Sequence, residues 1–208
     1  MEPGVIQKLR IFRAESGHLS LLPECLALVE RTQGKGIFEP DYFGRCASGE
    51  GDRLLLIALL EGKLVGIATA RVLPENDFDY YVPFGKEAVE RLFQQHRVGS
   101  METASVTESL QGQGIGQELT RHRIRWLSEA GCTPVIGVSW ESGLANTSDR
   151  VFTKLGFERL SQVRGFYAHD SVRRGFICPV CGSPPCRCSA SPKSSSAPLA
   201  SANFVKNR

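Results

Sequence analysis

Two groups of residues in this 208-residue chain have the types and spacing to do chemistry. The first is "VTESLQGQGIGQEL", Val106 to Leu119, with glycines at 112, 114 and 116 between an apolar strand end and a helical start. Glycines let a backbone approach a ligand closely, and the first amides of a helix point at it, so this stretch suits an anion, with a pyrophosphate as the natural guest. The helix dipole adds about 0.3–1 kcal/mol of preference for negative charge. The second group is "CPVCGSPPCRC", residues 178–188, in which Cys178, Cys181, Cys186 and Cys188 follow the pattern C-x2-C-x4-C-x-C. Four thiolates so close can surround Zn²⁺ as a tetrahedron with bonds of about 2.3 Å.

Two familiar phosphate loops are excluded. A P-loop needs Lys then Ser or Thr after its last glycine, and here Gln117 and Glu118 follow Gly116. A dinucleotide loop needs G-x-G-x-x-G at the start of a βαβ unit, and the spacing here is G-x-G-x-G. For the cysteines, a redox thiol group and an iron–sulfur site stay open beside zinc. Four sulfur ligands leave no open coordination position, so a metal there is structural. The "CPVCG" half has the glycine of a zinc knuckle, and the C-x-C half is tighter than usual.

These groups need a scaffold. Residues 5–13 read as a strand, and Ser20 to Thr32 as an amphipathic helix. "RLLLIALLEGKLVGIATARVL", 53–73, is two strands around a Glu61-Gly62-Lys63 turn. Residues 74–97 break the rhythm with "FDYYVPF" and a short helical pattern over 86–96. Strand returns at 98–106, helix runs from Gln117 to Ala130, and "TPVIGVSW", 133–140, is a buried strand. A helix over 146–157 precedes strand-like stretches at 157–163 and 173–178. The last twenty residues, rich in Ser, Ala and Pro, are expected to be disordered. The predicted fold is α/β (α+β): a mixed, mostly antiparallel sheet with helices on both faces. The organisation is a globular domain over 1–177, the cysteine segment over 178–188 and a tail over 189–208.

Composition weighs against several functions. Net charge is +3, too mild to argue for a nucleic-acid binder, and "RHRIR", 121–125, falls at helical spacing as a solvated face. The longest apolar run, "LLLIALL", 54–60, is too short to cross a membrane, and the N-terminus has no apolar core of signal length. Seven cysteines, three scattered and four crowded, do not form a disulfide scaffold, so a reducing cytoplasm is expected.

Gln111-x-x-Gly114-x-Gly116 resembles the acetyl-CoA signature of the GNAT superfamily of acyl-CoA-dependent N-acyltransferases. Val106 stands where that family carries an aliphatic residue at a splayed strand end. "FTKLGF", 152–157, and "GFYAHDS", 165–171, resemble two further family segments. The resemblance spans about residues 5–178 and implies transfer of an acetyl group from acetyl-CoA to a primary amine. It implies that the backbone amides of Gln113, Gly114, Ile115, Gly116 and Gln117 hold the pyrophosphate, with Gln111 and Gly112 in the same cofactor-binding loop. Ala104, Ser105 and Val106 would pair with pantetheine, and Asn146 belongs to the same cofactor set. Glu102 is the only carboxylate in the parity set Ser100, Glu102, Ala104, Val106, and it is the candidate base, against a salt-bridged role. The tyrosine that many relatives use as general acid is Phe152 here, which leaves Tyr167, or an unassisted thiolate. The 74–97 insertion reads equally as a substrate lid or a homodimer contact. The acceptor is a small molecule or a protein amine. A CoA-binding regulatory module and a nucleic-acid-modifying transferase are the alternative functions.

Overall fold

Between Arg53 and Val72 the chain forms the hairpin that its turn residues demand. A computed structural model describes residues 8–74, 87, 90, 93, 97–141, 148–182 and 184–195. Strands β2 (Arg53–Leu60) and β3 (Lys63–Val72) pair antiparallel, with Leu60 opposite Lys63. Glu61 and Gly62 both take positive φ, +51° and +80°, the geometry of a two-residue turn that matches strand twist. Strand β1 (Leu9–Arg13) pairs with β2, and β4 (Gly99–Val106) pairs with β3. Strand β5 (Val135–Glu141) lies parallel to β4. Short β6 (Glu158–Arg159) and β7 (Ser189–Ser195) complete a seven-stranded order β1-β2-β3-β4-β5-β7-β6.

Helices cover both faces, which is why β2 reads as an unbroken apolar run. On one face, α1 (Leu22–Gln33) and α2 (Tyr42–Ser48) pack Leu28, Val29, Phe43 and Cys46 on Leu55, Ile57 and Ile67. On the other, α3 (Ile115–Glu129) and α4 (Ser148–Lys154) place Ile115, Leu119, Leu127 and Phe152 on Leu54, Leu56 and Ala68. The α3 helix starts two residues before its expected N-terminus. Arg125 is exposed as expected, but Arg123 is buried. Its guanidinium donates to the carbonyls of Thr69 and Thr103 and to Thr120 Oγ1, and loss of water pulls its pKa down to about 10. The solvated-face reading of "RHRIR" therefore fails at its centre.

The C-terminal third corrects the sequence reading. No strand forms at 173–178. The segment Ala168–Arg174 is helix α5, closed by Gly175 at φ +66°. The strand expected over 157–163 shrinks to β6 and a single bridge between Val163 and Ala190. The tail expected to be disordered begins with β7, which pairs with β5 over seven residues. Its Ser-Ala-Ser-Pro-Lys-Ser-Ser sequence has little strand propensity, and the open edge of β5 overrides it. Lys193 within β7 is buried. Its Nζ lies 2.9 Å from Asp149 Oδ1 and donates to Thr153 Oγ1. Among the described residues no helix is long and apolar enough to cross a membrane. Most of the 74–97 insertion lies outside the described residues, as do residues 196–208.

Removing one partner of that pair strands a buried ammonium, whereas an apolar side chain of similar length needs no partner. Asp149→Ala is therefore expected to cost about 1–3 kcal/mol in urea unfolding. Lys193→Met should cost clearly less than Asp149→Ala. Equal losses in the two variants would show that the cost does not come from stranding the ammonium.

Candidate active site

Parallel strands β4 and β5 pair at only three positions, Gly99 with Val135, Ser100 with Ile136 and Met101 with Gly137. Beyond them the strands diverge. The other edge of β4 carries a bulge where its register with β3 slips, between Ala68 and Ala70. An extra residue in one strand re-aims the side chains that follow. Glu102 reaches Tyr42 of α2, and Thr103 and Ser105 meet Gln33 of α1, while Met101, Ala104 and Val106 pack with the α3 face. The parity set that grouped Glu102 with Ala104 and Val106 is thus overturned by the bulge.

The glycine loop closes the far end of the divergence. Gln111 Nε2 donates to the carbonyl of Val106 over 3.1 Å, which ties the loop to the strand it leaves. Gly112 and Gly114 take φ of +79° and +91°, which L side chains rarely adopt. Helix α3 begins directly after Gly114, and no side chain caps its first amides. A Cβ at Gly112 would meet nothing within 4 Å, so the loop is open on that side. This geometry fits a pyrophosphate on the amides of Gln113 to Gln117. Asn146 lies outside the described residues.

Glu102 is held from three sides. Tyr42 donates its hydroxyl to Oε2 over 2.6 Å, and Arg53 Nη1 does so over 3.3 Å. Arg71 Nε stands 3.1 Å from Oε1 as an ion pair, off the line of a hydrogen bond. Burial, with the nearby Glu102 charge, pushes the Tyr42 pKa well above its ordinary value, so Tyr42 stays a neutral donor. Phe38 stacks on its ring with centroids 4.5 Å apart. This cluster lies in a cavity of about 380 Å³. Met101, Glu102 and Thr103 line it from β4, Val138 and Trp140 from β5, and Tyr167 and Asp170 from the α5 region. It therefore sits against the strand divergence, with Glu102 and Tyr167 in one wall set. The glycine loop does not line it.

A domain model for the acetyltransferase (GNAT) family matches residues 24–157, more than half of the chain. This chain belongs to the GNAT acetyltransferase family. It is an acyltransferase, and acetyl-CoA is the co-substrate of the family. No curated protein sequence matches it. Among solved structures, the ribosomal-protein-S18-alanine N-acetyltransferase of Escherichia coli is 17 % identical, covering 94 % of this chain and 98 % of its own, at a TM-score of 0.59. Arabidopsis thaliana NAA60, solved with acetyl-CoA, is 14 % identical over 90 % of this chain and 97 % of its own, also at 0.59. A Drosophila melanogaster polyamine N-acetyltransferase is 14 % identical over 91 % and 100 %, at 0.63. At these identities the likeness is one of fold.

Beyond the GNAT match, the four predicted cysteines converge. Their sulfurs all lie within 4.8 Å of one another. Cys181 Sγ is 3.3 Å from Cys188 Sγ and 4.0 Å from Cys186 Sγ, and Cys178 Sγ is 3.9 Å from Cys188 Sγ. Zinc bonds of about 2.3 Å in a tetrahedron give sulfur–sulfur edges of about 3.8 Å. The amides of Cys181 and Arg187 donate to Cys178 Sγ and Cys181 Sγ, as in a knuckle. The Arg187 amide is the largest cause that draws the Cys181 thiol down to about 7. The donor set and its spacing fit a tetrathiolate metal.

Tyr42, Arg53 and Arg71 escaped the sequence reading. A signal for the arginines existed in the hairpin, because Arg53 lies directly opposite Arg71. Like charges in that position are unfavourable unless an anion joins them, and Glu102 does. Phe152, the position at which the family resemblance leaves the general-acid role vacant, is buried against Phe157 and belongs to the core.

The loop makes a direct test. Gly114→Val puts a β-branched residue at φ +91° beside the helix start. It is expected to weaken acetyl-CoA binding by about tenfold or more in calorimetry, with the unfolding temperature lowered only a few degrees. Wild-type affinity in the folded variant would remove the loop from the site.

Proposed function

We propose that this protein is an N-acetyltransferase that moves the acetyl group of acetyl-CoA to a primary amine by direct attack in a ternary complex. The observation that carries the reading is the cavity at the strand divergence, with a carboxylate on its wall and a glycine loop at the other end of the same strand. In this reading the amides of Gln113 to Gln117 hold the pyrophosphate, and the β4 edge at Ala104 to Val106 receives the pantetheine. Gln33 Nε2 on the Ala104 carbonyl and Gln111 Nε2 on the Val106 carbonyl hold that edge extended. The acceptor amine enters the cavity beside Glu102, where it exchanges for one guanidinium as the carboxylate's partner and loses a proton to it. Tyr167 stands in the same cavity as the candidate donor to the leaving thiolate.

The walls suit an amine with an apolar body. Phe38, Tyr42, Trp140, Tyr167 and Phe176 supply aromatic surface, and Glu39, Glu102 and Asp170 supply negative charge among Arg45, Arg53, Arg71 and Arg174. A small molecule and a protein N-terminus both fit that description. Zinc bound by Cys178, Cys181, Cys186 and Cys188 completes the reading as a structural ion, with no position left for substrate.

Two measurements test these roles. Glu102→Gln is expected to lower kcat by roughly 10²–10⁴ fold on an amine substrate, with acetyl-CoA affinity little changed. A base is needed only while the amine is protonated, so the loss should shrink as pH rises towards the acceptor's own pKa. A loss constant across pH would mark Glu102 as a structural anchor for Arg53 and Arg71. For the metal, protein purified without chelator should carry about one zinc per chain, and Cys181→Ser should carry none. Metal-free protein with four alkylatable thiols would sink the zinc assignment.

A further inference from the structure

The cysteine segment begins after the last family-matched residue, Phe157, yet it is part of the acceptor cavity. Leaving α5 at Gly175, the chain crosses to the loop after α1, and Ile177 donates its amide to the Lys35 carbonyl over 3.1 Å. The approach is close enough that a Cβ on Gly34, at φ +116°, would stand 2.1 Å from the Ile177 carbonyl oxygen. From there the chain passes through the four cysteines and enters the sheet as β7. The Cys186 amide donates to Ser171 Oγ of α5 over 2.8 Å, and Ser171 is fully buried. Cys178 and Cys186 themselves line the cavity beside Tyr167 and Asp170. Phe176 and the cysteines form one apolar cluster with Ile37, Trp140 and Tyr167.

The cysteine loop at the centre of these contacts has little apolar packing of its own. Between Cys178 and Cys186 the one large apolar side chain, Val180, is 44 % exposed. A segment without a core of its own takes its folding energy from the metal it binds. We propose that Zn²⁺ at these four cysteines is the fastener of the acceptor wall. Metal occupancy orders the loop at 35–38 and the stretch at 167–178 and so shapes the acceptor half of the site. The acetyl-CoA half, built on β4 and α3, stands without it. The inference rests on the zinc and acceptor-cavity readings above and adds their coupling.

The test compares zinc-loaded protein with the same protein stripped by a chelator under reducing conditions. Metal content, hydrogen exchange by mass spectrometry and acetyl-CoA titration are followed together. Stripping should raise amide exchange at 35–38 and 167–178 by about tenfold or more, and restoring Zn²⁺ should reverse it. Exchange across α3 should stay the same, and acetyl-CoA affinity should move by less than about twofold, because neither α3 nor the glycine loop lines the cavity. If zinc is present but its removal leaves 35–38 unaltered, the coupling is wrong and the zinc assignment survives. Protein that never binds Zn²⁺ overturns both. Loss of acetyl-CoA affinity or global unfolding on stripping would overturn the division into two independent halves.

Discussion

Strands β4 and β5 share a ladder over three residue pairs, and beyond Met101 and Gly137 each has to satisfy its backbone elsewhere. Strand β5 is held in place by its other edge, where β7 pairs with it along its whole length. Strand β4 finds partners in side chains, Gln33 on the Ala104 carbonyl and Gln111 on the Val106 carbonyl. The gap between the strands is therefore a stable feature of the fold. A Cβ at Gly137 would lie 2.8 Å from the Phe152 ring, so close packing against α4 fixes β5 where the parting begins. The bulge in β4 fixes the other side, because it hands the Thr69 and Thr103 carbonyls to buried Arg123.

The electrostatics follow from the same divergence. Turning Glu102 towards α2 sets it between Arg53 and Arg71, with Tyr42 on its third side. Each of the three charged side chains is about one-fifth exposed. A carboxylate there joins two guanidiniums that the hairpin register forces side by side. The arrangement holds an anion at the base of an aromatic-walled cavity, where an ammonium can compete for it. Its position is set by strand geometry, and no mobile loop is needed to bring it there.

The parts of the site that were legible in the sequence are local ones. Glycines spaced G-x-G-x-G before a helix act through their own backbone, and four cysteines within eleven residues must meet whatever the fold. The mixed, mostly antiparallel sheet with helices on both faces followed from alternating strand and helix patterns and the Glu61-Gly62 turn. What stayed hidden depends on contacts between distant segments. The bulge opposite Thr69 is invisible to a parity rule that assumes a regular ladder, and it decides which way Glu102 points. Strand β7 has no apolar alternation, because it buries polar residues instead: Ser191 finds Glu141, and Lys193 finds Asp149 and Thr153. Missing β7 made the cysteines look like an appendage, whereas they lie within the connection from α5 to the sheet. The helix at Ala168–Arg174 stayed hidden too, with a strand expected at 173–178, although Gly175 marks the helix end.

The central claim is that the parting of β4 and β5 is where thioester and amine meet. A crystal structure of the protein with acetyl-CoA tests it most directly. The account predicts the pyrophosphate on the amides of Gln113 to Gln117, and the thioester in the gap between Met101 and Val138, facing the cavity that holds Glu102. Acetyl-CoA bound away from the glycine loop, or a thioester on the far side of β4 from that cavity, would contradict it.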